Sequence, residues 1–182
     1  MTRRPWLATA ANIIGYELVW LACVAGAGRG MAWLGPLAAL VFVTATLALG
    51  GNRGGDLRAL ALVVPLGFVM DSLFAASGWL NYAHSWPSHL VAPAWIWALW
   101  AAFAMTLNHS MAFLGDRPWL AALLGLVGGP LVYWAAAGTF GAVDFGVPTA
   151  WIMAALALAW ALLLPLLMTL NKRLTDSTRA LA

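Results

Sequence analysis

The chain has 182 residues, of which 64% are apolar and 8% charged, with a mean hydropathy of +0.88. A soluble domain carries about 25% charged residues, so a water-covered globule is excluded and lipid becomes the solvent for most of the surface. The formal charge of +3 follows membrane threading rather than any patch, and no nucleic-acid partner is implied.

Six apolar runs predict six transmembrane helices, over about residues 6–26, 31–49, 57–76, 93–114, 119–137 and 149–170. Each is close to the ~20 residues needed to cross ~30 Å of hydrocarbon at 1.5 Å per residue. The fold class expected is an all-α integral membrane bundle of six helices in one domain over residues 1–170, with a frayed polar tail over 171–182. Cut at these runs, eight of the nine basic residues (Arg3, Arg4, Arg53, Arg58, Arg117, Lys172, Arg173 and Arg179) fall in alternate gaps, and only Arg29 falls in the other set. That is the cytoplasmic excess of Lys and Arg of an inner-membrane protein, with both termini cytoplasmic. The first run is read as a span, not a cleaved signal, because Asn12 and Glu17 interrupt it.

The connections are short and rich in chain-breaking residues. Residues 50–56 (Gly-Gly-Asn-Arg-Gly-Gly-Asp) and 115–118 (Gly-Asp-Arg-Pro) form tight cytoplasmic turns, with Pro118 suited to the first turn of the fifth helix. The longest gap, residues 77–92, is apolar and holds Trp79, Tyr82, His84, Trp86 and His89; a short interfacial helix after Pro87 is expected there. Of the twelve tryptophans, Trp33, Trp79, Trp86, Trp95 and Trp151 fall at outer ends and Trp6 and Trp119 at inner ends, as an interfacial belt. Trp100 and Trp160 lie mid-span and either face lipid or wall an apolar pocket. Gly125 and Gly129 have the spacing that lets helices approach closely. Cys23 is the single cysteine, so neither an internal disulfide nor a thiolate metal site is expected.

Polar groups inside apolar runs carry the functional signal, because a charge at the bilayer centre costs roughly 3 kcal/mol or more. Counting outward from the inner edge, Glu17, Asp71, Ser72 and Tyr133 share a middle layer, and Asn12, Thr106, Asn108 and His109 an inner layer. Two acids in one dry layer without a cation cannot both ionise, so at least one is expected to hold a proton. Glu17, Asp71 and His109 are therefore the candidate catalytic or proton-carrying groups. Asn12, Tyr16, Asn108, Tyr133, Trp97, Trp100 and Trp134 are candidate binding residues. The bland reading is hydrogen-bond glue between helices, at about 0.6 kcal/mol per bond; for His109 alone that reading is preferred. His84 and His89 lie near the opposite leaflet from His109, so no metal site is expected, and no cofactor is implied.

Residues 93–100 (Pro-Ala-Trp-Ile-Trp-Ala-Leu-Trp), residues 103–110 ending Thr-Leu-Asn-His-Ser, residues 128–134 (Gly-Gly-Pro-Leu-Val-Tyr-Trp) and Asn12, Glu17 and Trp20 carry a resemblance. On these the chain resembles a family of small bacterial inner-membrane proteins catalogued only as a domain of unknown function. The resemblance implies a multi-pass membrane protein and, through an association with fatty-acid-modifying enzymes, a lipid-related role. Three readings follow: a lipid-related membrane enzyme or accessory subunit with a laterally open pocket, a small proton-coupled transporter, or a structural partner of another inner-membrane protein. Membrane lipids are the expected partners in each, and the oligomeric state is left open.

Overall fold

The computed structural model describes residues 5–180. Six α-helices fill it: α1 (Pro5–Gly28), α2 (Leu34–Leu49), α3 (Arg53–Ala76), α4 (Ala94–Leu107), α5 (Pro118–Gly138) and α6 (Thr149–Ala180). Two short strands, β1 (Leu80–Tyr82) and β2 (Val143–Phe145), pair antiparallel with Asn81 opposite Asp144. Arg3 and Arg4 lie outside the described residues.

Four helices, α1, α3, α5 and α6, are long and apolar enough to cross a membrane. The remaining two, α2 and α4, have 16 and 14 residues, or about 24 and 21 Å at 1.5 Å per residue. The expected count of six full spans is thus not met by length. The fourth run shows why. Its apolar pattern continues to Leu114, but the helix stops at Leu107, where the Met111 and His109 N–H groups both turn back to the Thr106 carbonyl. The chain then passes through turns and a single 3₁₀ turn, Ala112–Leu114, before Pro118 opens α5. Hydropathy counts apolar side chains and cannot see a change of backbone path.

Being short, α4 is also the most enclosed helix. Trp95, Ile96, Trp100 and every residue from Ala102 to Leu107 are buried. It packs on α1, α2 and α3, while α5 and α6 form a hairpin that meets the rest mainly through α3. The side of the bundle is apolar: Leu40, Val41, Leu73, Leu158 and Leu162 are exposed, the reverse of a soluble protein.

Two further expectations are corrected. The segment after Pro87 is not a helix; the 77–93 connection forms turns and strand β1, whose ladder with β2 satisfies backbone groups that an isolated loop would leave open. The tail does not fray at residue 171, because α6 continues to Ala180 and Lys172 ion-pairs with Asp116 in the α4–α5 connection. The Lys172 ammonium holds the Asp116 carboxyl below the usual carboxylate range. Trp95 leaves the expected belt as well: it is buried, and its Nε1 donates to the Ala83 carbonyl at 2.9 Å. Trp6, Trp33, Trp86, Trp119 and Trp151 are exposed.

Small residues set the closest approaches. A Cβ at Gly67 of α3 would overlap the Trp100 indole of α4, and Cβ atoms at Gly125 and Gly129 would overlap Trp160 of α6. Gly128 has nothing near it. Gly67→Ala is therefore expected to destabilise the bundle by about 1–3 kcal/mol through overpacking, whereas Gly128→Ala should stay within about 0.5 kcal/mol. Detergent-titrated unfolding of the two variants checks this, and equal midpoints would refute the packing account.

Candidate functional site

Asp71 lies on the buried face of α3 and is fully enclosed. Three side chains from three other elements donate to it. Tyr82 of β1 donates its hydroxyl to Oδ1 at 2.6 Å, Trp100 of α4 donates Nε1–H to Oδ2 at 2.6 Å, and Tyr133 of α5 donates its hydroxyl to Oδ1. Burial, and next the Asp71 carboxyl beside it, push the Tyr82 hydroxyl well above the usual phenol range, so it stays a proton donor. Ser72, one residue on, accepts from the Ala92 N–H at 3.0 Å and ties α3 to the loop entering α4.

A small aromatic cavity of about 50 Å³ opens beneath this carboxyl, lined among others by Trp20, Trp95, Trp100, Phe103, Tyr133 and Trp160. The indoles of Trp100 and Trp160 stack at 5.1 Å and 10°, and Phe103 meets both edge-on. Both tryptophans thus wall a pocket, the second of the two expectations held for them. Of the other expected walls, Trp97 packs on Phe68 and donates Nε1–H to the Ala92 carbonyl, and Trp134 points outward; neither lines this cavity.

A second space of about 260 Å³ adjoins the first, sharing Tyr16, Phe103, Val132 and Trp160 as a common wall. It lies between α1 and α5, which hardly touch. Exposed Ile13 and Glu17 on one side and exposed Leu124 and half-buried Gly128 on the other, all from mid-helix, form its rim. The opening therefore faces the side of the bundle, not an end. Glu17 belongs to this cleft and Asp71 to the enclosed cavity, so the two acids expected in one layer occupy different spaces. Tyr16 turns inward against Phe103, with ring centroids 5.9 Å apart. Adjacent residues on a helix diverge by about 100°, which sends Glu17 to the rim.

The inner layer forms a separate cluster. His109 Nε2 lies 3.1 and 3.0 Å from the two oxygens of Asp56, and Asn108 Nδ2 donates to Asp56 Oδ1 at 3.1 Å. Asn171 of α6 donates to Asn108 Oδ1 at 2.8 Å. Asn12 donates Nδ2 to the Met105 carbonyl and accepts from the Ser110 hydroxyl at 2.6 Å. Asp56 and Asn171 were not among the expected site residues. Asp56 reads as a turn residue in a Gly-rich connection, yet the helix begins at Arg53 and carries it fully buried into the bundle. Its place in the first turn of a helix, where an acid meets the helix dipole favourably, was the available signal. His84 and His89 lie by the strand end, His89 Nδ1 paired with Ser85 Oγ. Among the described residues no group of three His, Cys, Asp or Glu converges as a metal site.

A family model described as protein of unknown function DUF2878 matches residues 9–166. The chain belongs to this family. That stretch takes in Asn12, Glu17, Asp56, Asp71, His109, Tyr133 and Trp160, and so both cavities and both polar clusters except for Asn171. No curated protein and no solved structure matches the chain.

Asp71 is an anchor whose oxygens are already engaged by three donors. Asp71→Ala leaves each of those donors without an acceptor, at about 1–3 kcal/mol for each buried orphan. A total loss of at least about 3 kcal/mol is expected, with Asp71→Asn less damaging because it keeps an acceptor. Unfolding midpoints of both variants measure this; an Asp71→Ala protein as stable as its parent would exclude the anchor role.

Proposed function

We propose that the chain is an inner-membrane protein with both termini cytoplasmic that binds a lipid chain, acting as a lipid-related enzyme or as an accessory subunit of one. One observation supports this above the rest: the cleft between α1 and α5 opens sideways at mid-helix and is backed by an aromatic cavity. A molecule entering there comes from the hydrocarbon and not from water. Rigid aromatic walls suit an alkyl chain, gaining apolar contact at little entropic cost. The grouping of Arg53, Arg58, Arg117, Lys172 and Arg173 in connections and helix ends on the side opposite the β1–β2 ribbon supports the cytoplasmic assignment of that side.

Proton-coupled transport, the alternative, needs polar groups linking the two faces. Asp56 and Asp71 are fifteen residues apart on α3, about 22 Å along the axis. Ala59 and Val63, both fully buried, lie between them, so α3 itself carries no polar relay from one to the other. A purely structural role accounts for the paired polar groups but not for a cleft left open beside α1.

The test is the membrane-lipid profile of a deletion strain, with complementation by the wild type and by Gly128→Trp. Gly128 sits at the cleft rim with no atom within 4 Å of an added Cβ, so an indole there has room to enter and block the opening; retained membrane insertion checks that the variant folds. The deletion is expected to alter acyl-chain composition, the wild type to restore it, and the inserted Gly128→Trp protein to fail. An unchanged lipid profile in the deletion strain would sink the reading. Separately, periplasm-active reporters should work when fused at Ser88 and stay silent at Gly54 and Asp116.

A further inference from the structure

His109 is held at one ring nitrogen and open at the other. Its Nε2 faces both oxygens of Asp56, at 3.1 and 3.0 Å. A carboxylate only accepts, so Nε2 carries the proton and the lone pair of the neutral ring lies on Nδ1. Asp56 is fully covered, whereas the His109 side chain is 17% exposed. Among the described residues Nδ1 takes no hydrogen bond. Nor is it one of the covered polar atoms left without a partner, which are Arg58 Nε, Trp160 Nε1 and Asn171 Oδ1. A small molecule can therefore reach Nδ1.

The space that His109 lines is a groove of about 310 Å³ between the first two turns of α1 and the end of α2. Ala8, Ala11, Ala45 and Leu49 are exposed along it. The two helices meet further in, where a Cβ at Gly15 would overlap the Phe42 ring, and beyond that contact the alanine side chains are too short to fill the gap. A Cβ on Gly50 would stand 2.9 Å from His109 Cε1, the carbon bonded to Nδ1, so that edge of the ring lies at the groove wall. The other polar walls are engaged locally: Thr46 Oγ1 donates to the Phe42 carbonyl, and Asn12 is bonded at both ends of its amide. No Lys, Arg, Asp or Glu is among the described walls.

We propose that this groove is a second ligand site, separate from the α1–α5 cleft, that binds an uncharged lipid alcohol whose hydroxyl donates to His109 Nδ1. Asp56 fixes the tautomer and the orientation of the ring, and the free nitrogen then asks for a donor. A carboxylate or phosphate would enter a groove with no cation to meet it, and a cation would meet no anion, because Asp56 is covered. A hydroxyl supplies the donor without a charge. The alanines of α1 and α2 leave an apolar track for the chain. The site stands whether or not the α1–α5 cleft holds a lipid.

The experiment uses the full chain in bilayers of phosphatidylcholine and phosphatidylglycerol. Diethyl pyrocarbonate carbethoxylates an accessible, unprotonated imidazole nitrogen, and peptide mass mapping reads its rate at His109 against those at His84 and His89. Dodecanol, dodecane, dodecanoic acid and dodecyltrimethylammonium are added as competitors. His109 is expected to react, and dodecanol to protect it at about a ten-fold lower mole fraction than the other three, the margin that roughly one hydrogen bond supplies. The rates at His84 and His89 should not change with dodecanol. Ala11→Phe fills the groove and should slow the reaction of His109 with no competitor present. Where that variant fails to insert, the wild-type series decides alone. A His109 that does not react overturns the accessible Nδ1. Equal protection by alcohol and alkane, stronger protection by the acid or the cation, or an inserted Ala11→Phe protein reacting at the wild-type rate overturns the site.

Discussion

A carboxyl group buried in an apolar bundle must be met by donors, and at Asp71 the donors come from β1, α4 and α5. That requirement joins elements that apolar packing alone holds loosely. The α5–α6 hairpin touches the rest of the bundle sparingly, and Tyr133 reaching Asp71 is one of the directional ties between them. Tyr82 brings the ribbon down onto α3, and Trp100 orients the indole that then stacks on Trp160. In lipid, helices gain nothing from hiding apolar surface from their neighbours, so directional bonds and close contacts carry a larger share of specificity.

The aromatic cavity follows from that anchor. Trp100 is pinned at its nitrogen by Asp71 and closed from behind by Gly67, where no side chain could fit. Trp160 lies over Gly125 and Gly129, so α5 and α6 approach through glycine while the indole projects toward α4. The space between α1 and α5 persists because large rings from α4 and α6 fill the centre and keep those two helices apart. A cleft built in this way is stiff, and its opening lies where lipid chains are.

The second cluster has a different job in the architecture. Asp56, Asn108, His109 and Asn171 join the start of α3, the end of α4 and the late part of α6. Asn12 adds α1 through Met105 and Ser110. Short α4 ends inside the bundle, and this network satisfies the groups left by its last turn. The fold is thus closed at one end by amides and a His–Asp pair and at the other by a two-stranded ribbon, with apolar walls between.

Much of this was legible in the chain itself. Composition and the long apolar runs pointed to a helical membrane protein, because the cost of a bare backbone or a charge in hydrocarbon leaves few alternatives. The intramembrane Asp71, Tyr133, Asn12 and His109 stood out for the same reason, and the mid-span Trp100 and Trp160 were visible as rings outside the belt. Partnership was not legible. Hydropathy and depth rank residues along one axis, whereas contact depends on rotation about each helix, so Glu17 and Asp71 shared a layer on paper and occupy different cavities in space. Asp56 escaped because a Gly-rich turn and a helix start look alike until the backbone is traced. The end of α4 at Leu107, the ribbon between distant loops and the lateral cleft all arise from contacts between segments far apart in the chain, and only the tertiary packing decides those.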